Sequence, residues 1–169
     1  VNEWMVRFAS AERSRLIPFG SVHPALTTDP GGETNRVIDL GARALKVHPP
    51  HQLFRANAYL HGMPGVADVY RQAEAAGIAV TIHTGMSVFP GARSRLGDPM
   101  DVDDVAIDFP KLRILLAHGG RPLWMQAAFF VVRRHPNVFL EVSGIPPVKL
   151  LEYFPRLEEI AAKTIWGTD

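Results

Sequence analysis

The amino-acid sequence predicts an α/β fold, a closed TIM (β/α)8 barrel of which this chain holds six β/α units. Short apolar segments rich in β-branched residues alternate with segments of helical periodicity, a pattern typical of a parallel sheet covered by helices. Polar residues follow the predicted strands at their C-terminal ends. In a barrel these ends converge on one centre, whereas an open doubly wound sheet spreads them along a line. No Gly-x-Gly-x-x-Gly sequence follows a strand, which weakens the open dinucleotide-binding alternative.

Six segments are too short for helices and apolar on both faces, as buried parallel strands are. They are residues 16–22, 44–47, 79–82, 113–117, 137–142 and 164–166.

The segments between the strands have helical periodicity. The clearest covers residues 64–76, where proline suits the first turn and Gly77 provides a C-terminal stop. A second begins at Pro122 and runs to Arg134, shortly before a proline that ends it. Weaker patterns cover residues 33–40, 102–108 and 148–162.

The composition is that of one globular domain over residues 1–169, with 47% hydrophobic residues and a net charge of +1. This balance argues against nucleic-acid and membrane partners, which need a clustered basic face. The chain has no cysteine, so His, Asp or Glu must bind any metal. Neither a signal peptide nor a membrane-spanning run is apparent, and we expect a cytoplasmic enzyme that acts on a small molecule.

Three residues at predicted strand ends have the chemistry of a metal site. His83 suits a zinc ion as a neutral imidazole, or is a core histidine bonded to backbone. His118 precedes two glycines and suits a general base or a group that polarises a substrate oxygen, or is a structural histidine. Asp169 suits a metal ligand, or a helix N-cap. The positions of His61 and His135 in the sequence match no spacing typical of a site, and we expect both residues at the surface.

Three further residues are candidates for binding substrate. Strand alternation places Lys46 and His48 on one face, which we expect to be the barrel interior. Lys46 suits a carbamate that bridges two metals, a cation for a substrate carboxylate, or a lysine paired with an acid. His48 suits the pocket lining. In the loop at residues 86–100, Arg93 and Arg95 either bind an anionic substrate group or are solvated.

Five short motifs, taken in order and spacing, are together more specific than any one alone. They are Lys46-Val47-His48-Pro49, His83-Thr84-Gly85, Asp108-Phe109-Pro110, Ala117-His118-Gly119-Gly120 and Trp166-Gly167-Thr168-Asp169. In this order they resemble the amidohydrolase-related family of the metal-dependent amidohydrolase superfamily. That family includes aminocarboxymuconate-semialdehyde decarboxylase, γ-resorcylate decarboxylase, and lactone and amide hydrolases. The resemblance covers nearly the whole chain, from Phe19 onward.

The resemblance implies that the six strands are strands three to eight of the barrel. It implies that His83 is the strand-five metal ligand and that His118 is the strand-six acid, base or polariser. It also implies that Asp169 binds the metal, usually zinc and sometimes manganese, and takes a proton from the attacking water. The family's strand-one His-x-His pair does not occur in this sequence. We therefore expect a domain truncated at both ends that binds metal weakly, because catalytic zinc normally has three protein ligands.

The leading hypothesis is a metal-dependent hydrolase in which metal-activated water attacks an amide, ester or lactone carbonyl. A non-oxidative decarboxylase of a small carboxylic acid uses the same visible residues and is the first alternative. A non-catalytic barrel remnant is the second. A metal-free phosphate-binding barrel is disfavoured because residues 143–147 offer one glycine and two prolines. A symmetric homodimer is the default assembly.

Overall fold

The sheet has six parallel strands in sequential order, in a computed structural model that describes residues 1–169. The strands are β1 (Phe19–Gly20), β2 (Ala44–Val47), β3 (Ala79–His83), β4 (Ile114–Ala117), β5 (Val138–Glu141) and β6 (Thr164–Ile165). Every neighbouring pair is parallel. Parallel neighbours need a crossover connection, and here each connection contains a helix. The predicted α/β class with six β/α units is confirmed.

The helices lie before and between the strands. They are α1 (Asn2–Ala9), α2 (Pro30–Asp39), α3 (Pro49–Gln52), α4 (Gly65–Ala75), α5 (Met100–Asp108), α6 (Met125–Arg134) and α7 (Leu150–Tyr153). None of them combines the length and the apolar character that crossing a bilayer requires.

Two predicted elements are much shorter in the structure. The predicted strand at 16–22 is reduced to Phe19–Gly20, which pairs on one side only, with β2. The predicted helix at 148–162 is only the four residues of α7, followed by a 3-10 segment at Leu157–Lys163. Pro155 lies between them, and proline has no N–H to continue a helix.

The outer face of the sheet forms the core with the helices. Seven strand side chains on this face are fully buried: Leu45, Val80, Ile82, Ile114, Leu116, Val138 and Leu140. They belong to one cluster of 30 buried hydrophobic residues that also includes Val66, Val69 and Tyr70 of α4. Burying a large apolar side chain contributes about 1.5–3 kcal/mol, so this face provides much of the stability.

The inner face carries the polar residues, in two rows set by the strand register. One row joins Lys46, Thr81, Leu115 and Phe139 across four strands. The other row joins His83, Ala117, Glu141 and Ile165, nearer the C-terminal edge. The fold therefore brings side chains from distant segments to one end of the sheet.

Helix α5 is attached to its neighbours through its acidic side chains. Asp101 accepts a hydrogen bond of 2.9 Å from Arg55. Asp103 lies 2.8 Å from an Arg134 nitrogen and 2.7 Å from His135 Nε2. The prediction that His135 lies at the surface is therefore wrong, because its ring is buried against this carboxylate. His61 is exposed, as predicted.

Replacing Asp103 should destabilise the protein. In Asp103→Ala, the buried ring of His135 loses its acceptor, and an unsatisfied buried donor costs about 1–3 kcal/mol. Urea denaturation should show this loss, whereas Asp68→Ala, which breaks an exposed pair with Arg71, should cost less than about 1 kcal/mol. Equal losses in the two variants would contradict a structural role for Asp103.

Candidate active site

Three histidines from three neighbouring strand ends form one cluster. The rings of His48 and His83 are stacked, with centroids 3.9 Å apart and planes inclined by 18°. The ring of His118 meets His83 edge-on, with centroids 4.8 Å apart. His48 follows β2, His83 ends β3 and His118 follows β4. The structure thus brings together three of the residues that the sequence predicted for the site.

Burial makes these imidazoles weak bases. Desolvation, reinforced by neighbouring positive charge, lowers the pKa of His83 to about 3 and that of His48 to about 4. Burial also lowers the pKa of His118. The rings are therefore neutral at pH 7, and a neutral imidazole has a lone pair for a metal ion or a proton.

His83 has a buried ring nitrogen that nothing in the protein satisfies. Its Nε2 atom has no hydrogen-bond partner, although the residue is only 6% exposed. An unpaired buried polar atom in a native protein needs an explanation, and a metal ion or a bound ligand provides one. An imidazole nitrogen such as His83 Nε2 is a suitable ligand for a divalent metal. No group of three or more His, Asp or Glu side chains with metal-binding geometry is present in the chain.

The hydrogen bonds of His118 define its tautomer. Its Nδ1 atom lies 3.1 Å from the carbonyl oxygen of Ser143 and 3.0 Å from the Ser143 hydroxyl. A carbonyl oxygen only accepts, so Nδ1 carries the hydrogen and Nε2 presents its lone pair. Hydrogen bonding of one ring nitrogen commonly orients the other for catalysis or metal binding.

Glu141 is a site residue that sequence reasoning missed. Its carboxylate accepts bonds of 2.7 Å from both the backbone N–H and the hydroxyl of Ser143. It thereby fixes the loop that holds His118, and one carboxylate oxygen lies 3.9 Å from His118 Nδ1. The sequence signal that could have identified it is an acidic residue inside an apolar parallel strand. A charge there is unfavourable unless it is paired or hydrogen-bonded.

Lys46 lies on the inner face, partly buried. Burial lowers the pKa of its ammonium group, while the negative charges of Glu141 and Asp169 act in the opposite direction. These interactions show that Lys46 and both carboxylates share one electrostatic environment. Lys46 forms no ion pair with either carboxylate, and all three interpretations drawn from the sequence stay predictions.

Asp169 and Arg93 are both exposed. The negative charge of Asp169 acts to raise the pKa of Lys46 and of His118, against the larger effect of burial. The side chain of Arg93 makes no ion pair. Its backbone N–H donates a 2.8 Å bond to Pro50 and ties the loop to α3. The substrate-binding role of Arg93 stays a prediction.

The C-terminal edge of the parallel strands, where these polar side chains lie, is the position of the active site in TIM-barrel enzymes. The family model described as Amidohydrolase matches residues 1–169, so the chain belongs to the amidohydrolase family. Among curated proteins, no sequence matches the chain.

Several solved structures share the fold. An uncharacterized TIM-barrel protein from Bordetella bronchiseptica is 22% identical, with a TM-score of 0.76 over 99% of this chain and 58% of that chain. A probable 2-pyrone-4,6-dicarboxylic acid hydrolase from Acinetobacter baumannii, crystallised with citric acid, is 16% identical, with a TM-score of 0.66 over 99% and 62%. A putative metal-dependent hydrolase from Lactobacillus casei is 13% identical, with a TM-score of 0.64 over 95% and 52%.

These similarities confirm the TIM-barrel fold that the sequence predicts. The chain spans 58% and 62% of the lengths of the first two proteins, so its six strands form part of a barrel.

His118 should be the Nδ1–H tautomer. Long-range proton–nitrogen NMR on labelled protein should show a protonated Nδ1 and an unprotonated Nε2 at pH 7, because the Ser143 carbonyl can only accept. His118→Gln assigns the signal. A protonated Nε2 would contradict the hydrogen-bond assignment.

The metal-free protein should lose stability as the pH falls. The pKa of His83 is lower in the folded chain than its unfolded value of about 6.5, so the unfolded state takes up the proton first. The stabilisation is complete above pH 6.5 and is lost as the pH falls toward about 3. The free energy of unfolding, measured with chelator present, should decrease by about 1.4 kcal/mol per pH unit for this residue. His83→Gln should weaken this dependence, while the exposed-residue control His61→Gln should leave it unchanged.

Proposed function

We propose that this chain carries part of the active site of a metal-dependent hydrolase that cleaves an amide, ester or lactone. The observation that carries the proposal is the buried, unpartnered Nε2 of neutral His83, packed against His118. Membership of the amidohydrolase family supports it, as do the structural relatives whose names include a pyrone-dicarboxylic acid hydrolase and a metal-dependent hydrolase.

His83 and Asp169 would hold the metal. Their nitrogen and oxygen donors suit zinc, and manganese is the second choice. When bound, such an ion lowers the pKa of a water ligand toward neutrality and polarises a carbonyl group.

His118 would transfer protons to and from the substrate. Its Nε2 atom would accept a proton from the substrate, or the proton that Asp169 has taken from water, and return it to the oxygen or nitrogen that leaves. Ser143 and Glu141 hold the ring in the orientation that this transfer needs, since the ring cannot rotate without breaking the bond to the Ser143 carbonyl. A positioned acid or base of this kind contributes about 10²–10⁴-fold to a rate.

Asp169 would take the proton from the attacking water. Its carboxylate is exposed, so water can reach it. Lys46 supplies positive charge on the inner face, and His48 lines the cavity beside His83.

The full gene product tests this proposal with a panel of lactones, esters and amides. We expect hydrolysis that a chelator abolishes and zinc or manganese restores. His118→Asn and Asp169→Asn should each lower kcat/KM by about 10²–10⁴-fold, because each loses a proton-transfer group. His83→Ala should also lose bound metal, measured by elemental analysis.

His61→Ala is the matched control, because that histidine is exposed and outside the cluster. Full hydrolysis by His118→Asn would contradict the assigned role. Release of carbon dioxide from carboxylic-acid substrates, without hydrolysis of any ester, amide or lactone, would show that the scaffold is a decarboxylase instead.

A further inference from the structure

Arg121 carries a positive charge that no group in the chain balances. The residue follows the two glycines after His118 and is only partly exposed. Its Nε atom is buried without a hydrogen-bond partner. None of the ion pairs in the structure involves it. A partly buried charge without a partner is unfavourable, so its presence calls for a counter-charge from outside the chain.

The backbone of Arg121 is held in place from two sides. Its N–H donates a 3.1 Å bond to the His118 carbonyl, and its own carbonyl accepts a 2.9 Å bond from Met86. A Cβ atom on Gly85 would lie 2.3 Å from the Arg121 carbonyl oxygen, so only glycine permits this approach. Arg121 is therefore fixed between the loops that follow β3 and β4.

The guanidinium group lies against the loop that follows β5. A Cβ atom on Gly144 would be 2.4 Å from Arg121 Nη2 and 2.9 Å from its Cζ. Gly144 follows Ser143, whose carbonyl holds the His118 ring. The cation and the candidate acid–base group thus contact adjacent residues of one loop.

Four other arginines differ from Arg121 in these features. Arg55 is paired with Asp101 and Arg134 with Asp103. Arg93 and Arg95 are exposed to solvent. Arg121 alone among these combines partial burial, a missing partner and a position beside His118.

We propose that Arg121 binds a carboxylate of the substrate, so that the compound hydrolysed carries this anionic group close to the reacting carbonyl. The inference rests on the proposed hydrolase function and narrows it to carboxylated substrates. A guanidinium group pairs with a carboxylate through two parallel hydrogen bonds, which fixes orientation as well as affinity. A substrate anchored in this way would present its carbonyl to the same side of the loop as His118.

Benzoate and benzamide are a matched pair of probes, because they share a ring and differ in the carboxylate. Their binding to the full gene product is measured by calorimetry and thermal shift, in chelator and again with zinc. We expect benzoate to bind and raise Tm in both conditions, and benzamide to bind at least tenfold more weakly. Arg121→Met should lower benzoate affinity at least tenfold.

Arg121→Lys keeps the charge but not the paired donors, and should retain an intermediate affinity. Gly144→Ala should also weaken benzoate, because its methyl group displaces the guanidinium. Arg71→Met removes the same charge from the exposed face of α4 and should bind benzoate as the wild type does. Thermal unfolding without probe identifies any variant that fails to fold. If Arg121→Met does not fold, the benzoate affinity of Arg121→Lys is the test.

Several results would overturn the inference. They are no benzoate binding by the wild type, equal affinity for benzamide, or unchanged benzoate affinity in the folded Arg121 variants. If benzoate binding requires zinc and is unchanged in the Arg121 variants, the carboxylate binds the metal and not Arg121. That result would be compatible with the proposed hydrolase function. Benzoate binding that needs Arg121, without metal-dependent hydrolysis, would keep the anion site and reject the hydrolase.

Discussion

The parallel register of strands β2 to β5 is the constraint on which the candidate site depends. It aligns His83 with Ala117 and Glu141, so that one row of the inner face contains an imidazole and a carboxylate. A slip of one residue would turn these side chains toward the helices and expose the apolar ones. The fully buried residues of the outer face make such a slip costly, so the hydrophobic core maintains the geometry of the site.

The same geometry explains the electrostatics of the site. Three rings packed together exclude water from one another, and desolvation then lowers the pKa of each of them. A cluster of neutral imidazoles suits metal binding, where protons compete with the ion for the lone pair. The negative charges of Glu141 and Asp169 oppose the lowering of the Lys46 pKa by burial. The pKa values of several groups in the site therefore depend on their neighbours, and perturbed pKa values are common in active sites.

Sequence patterns predict the architecture well because hydrophobic periodicity and strand-end polarity are local signals. The predicted bounds of the strands that lead to His83 and His118 lie within one residue of the observed bounds. The sequence also predicts that these two histidines lie close together, because parallel strands end at the same edge of the sheet. Predictions failed where the answer depends on distant segments. His135 is buried because Asp103 on another helix meets it, and no local pattern shows that contact. Glu141 was missed for a similar reason, since its role depends on Ser143 turning back toward it and toward His118.

We propose that His83, with Asp169, holds a divalent metal beside His118. Anomalous scattering at the zinc and manganese edges, from a crystal of the full gene product after reconstitution, tests it most directly. We expect a metal at about 2.0–2.2 Å from a His83 nitrogen and an Asp169 oxygen, with the His118 ring adjacent. A crystal without metal after reconstitution, in which His83 Nε2 bonds to protein or water instead, would contradict it.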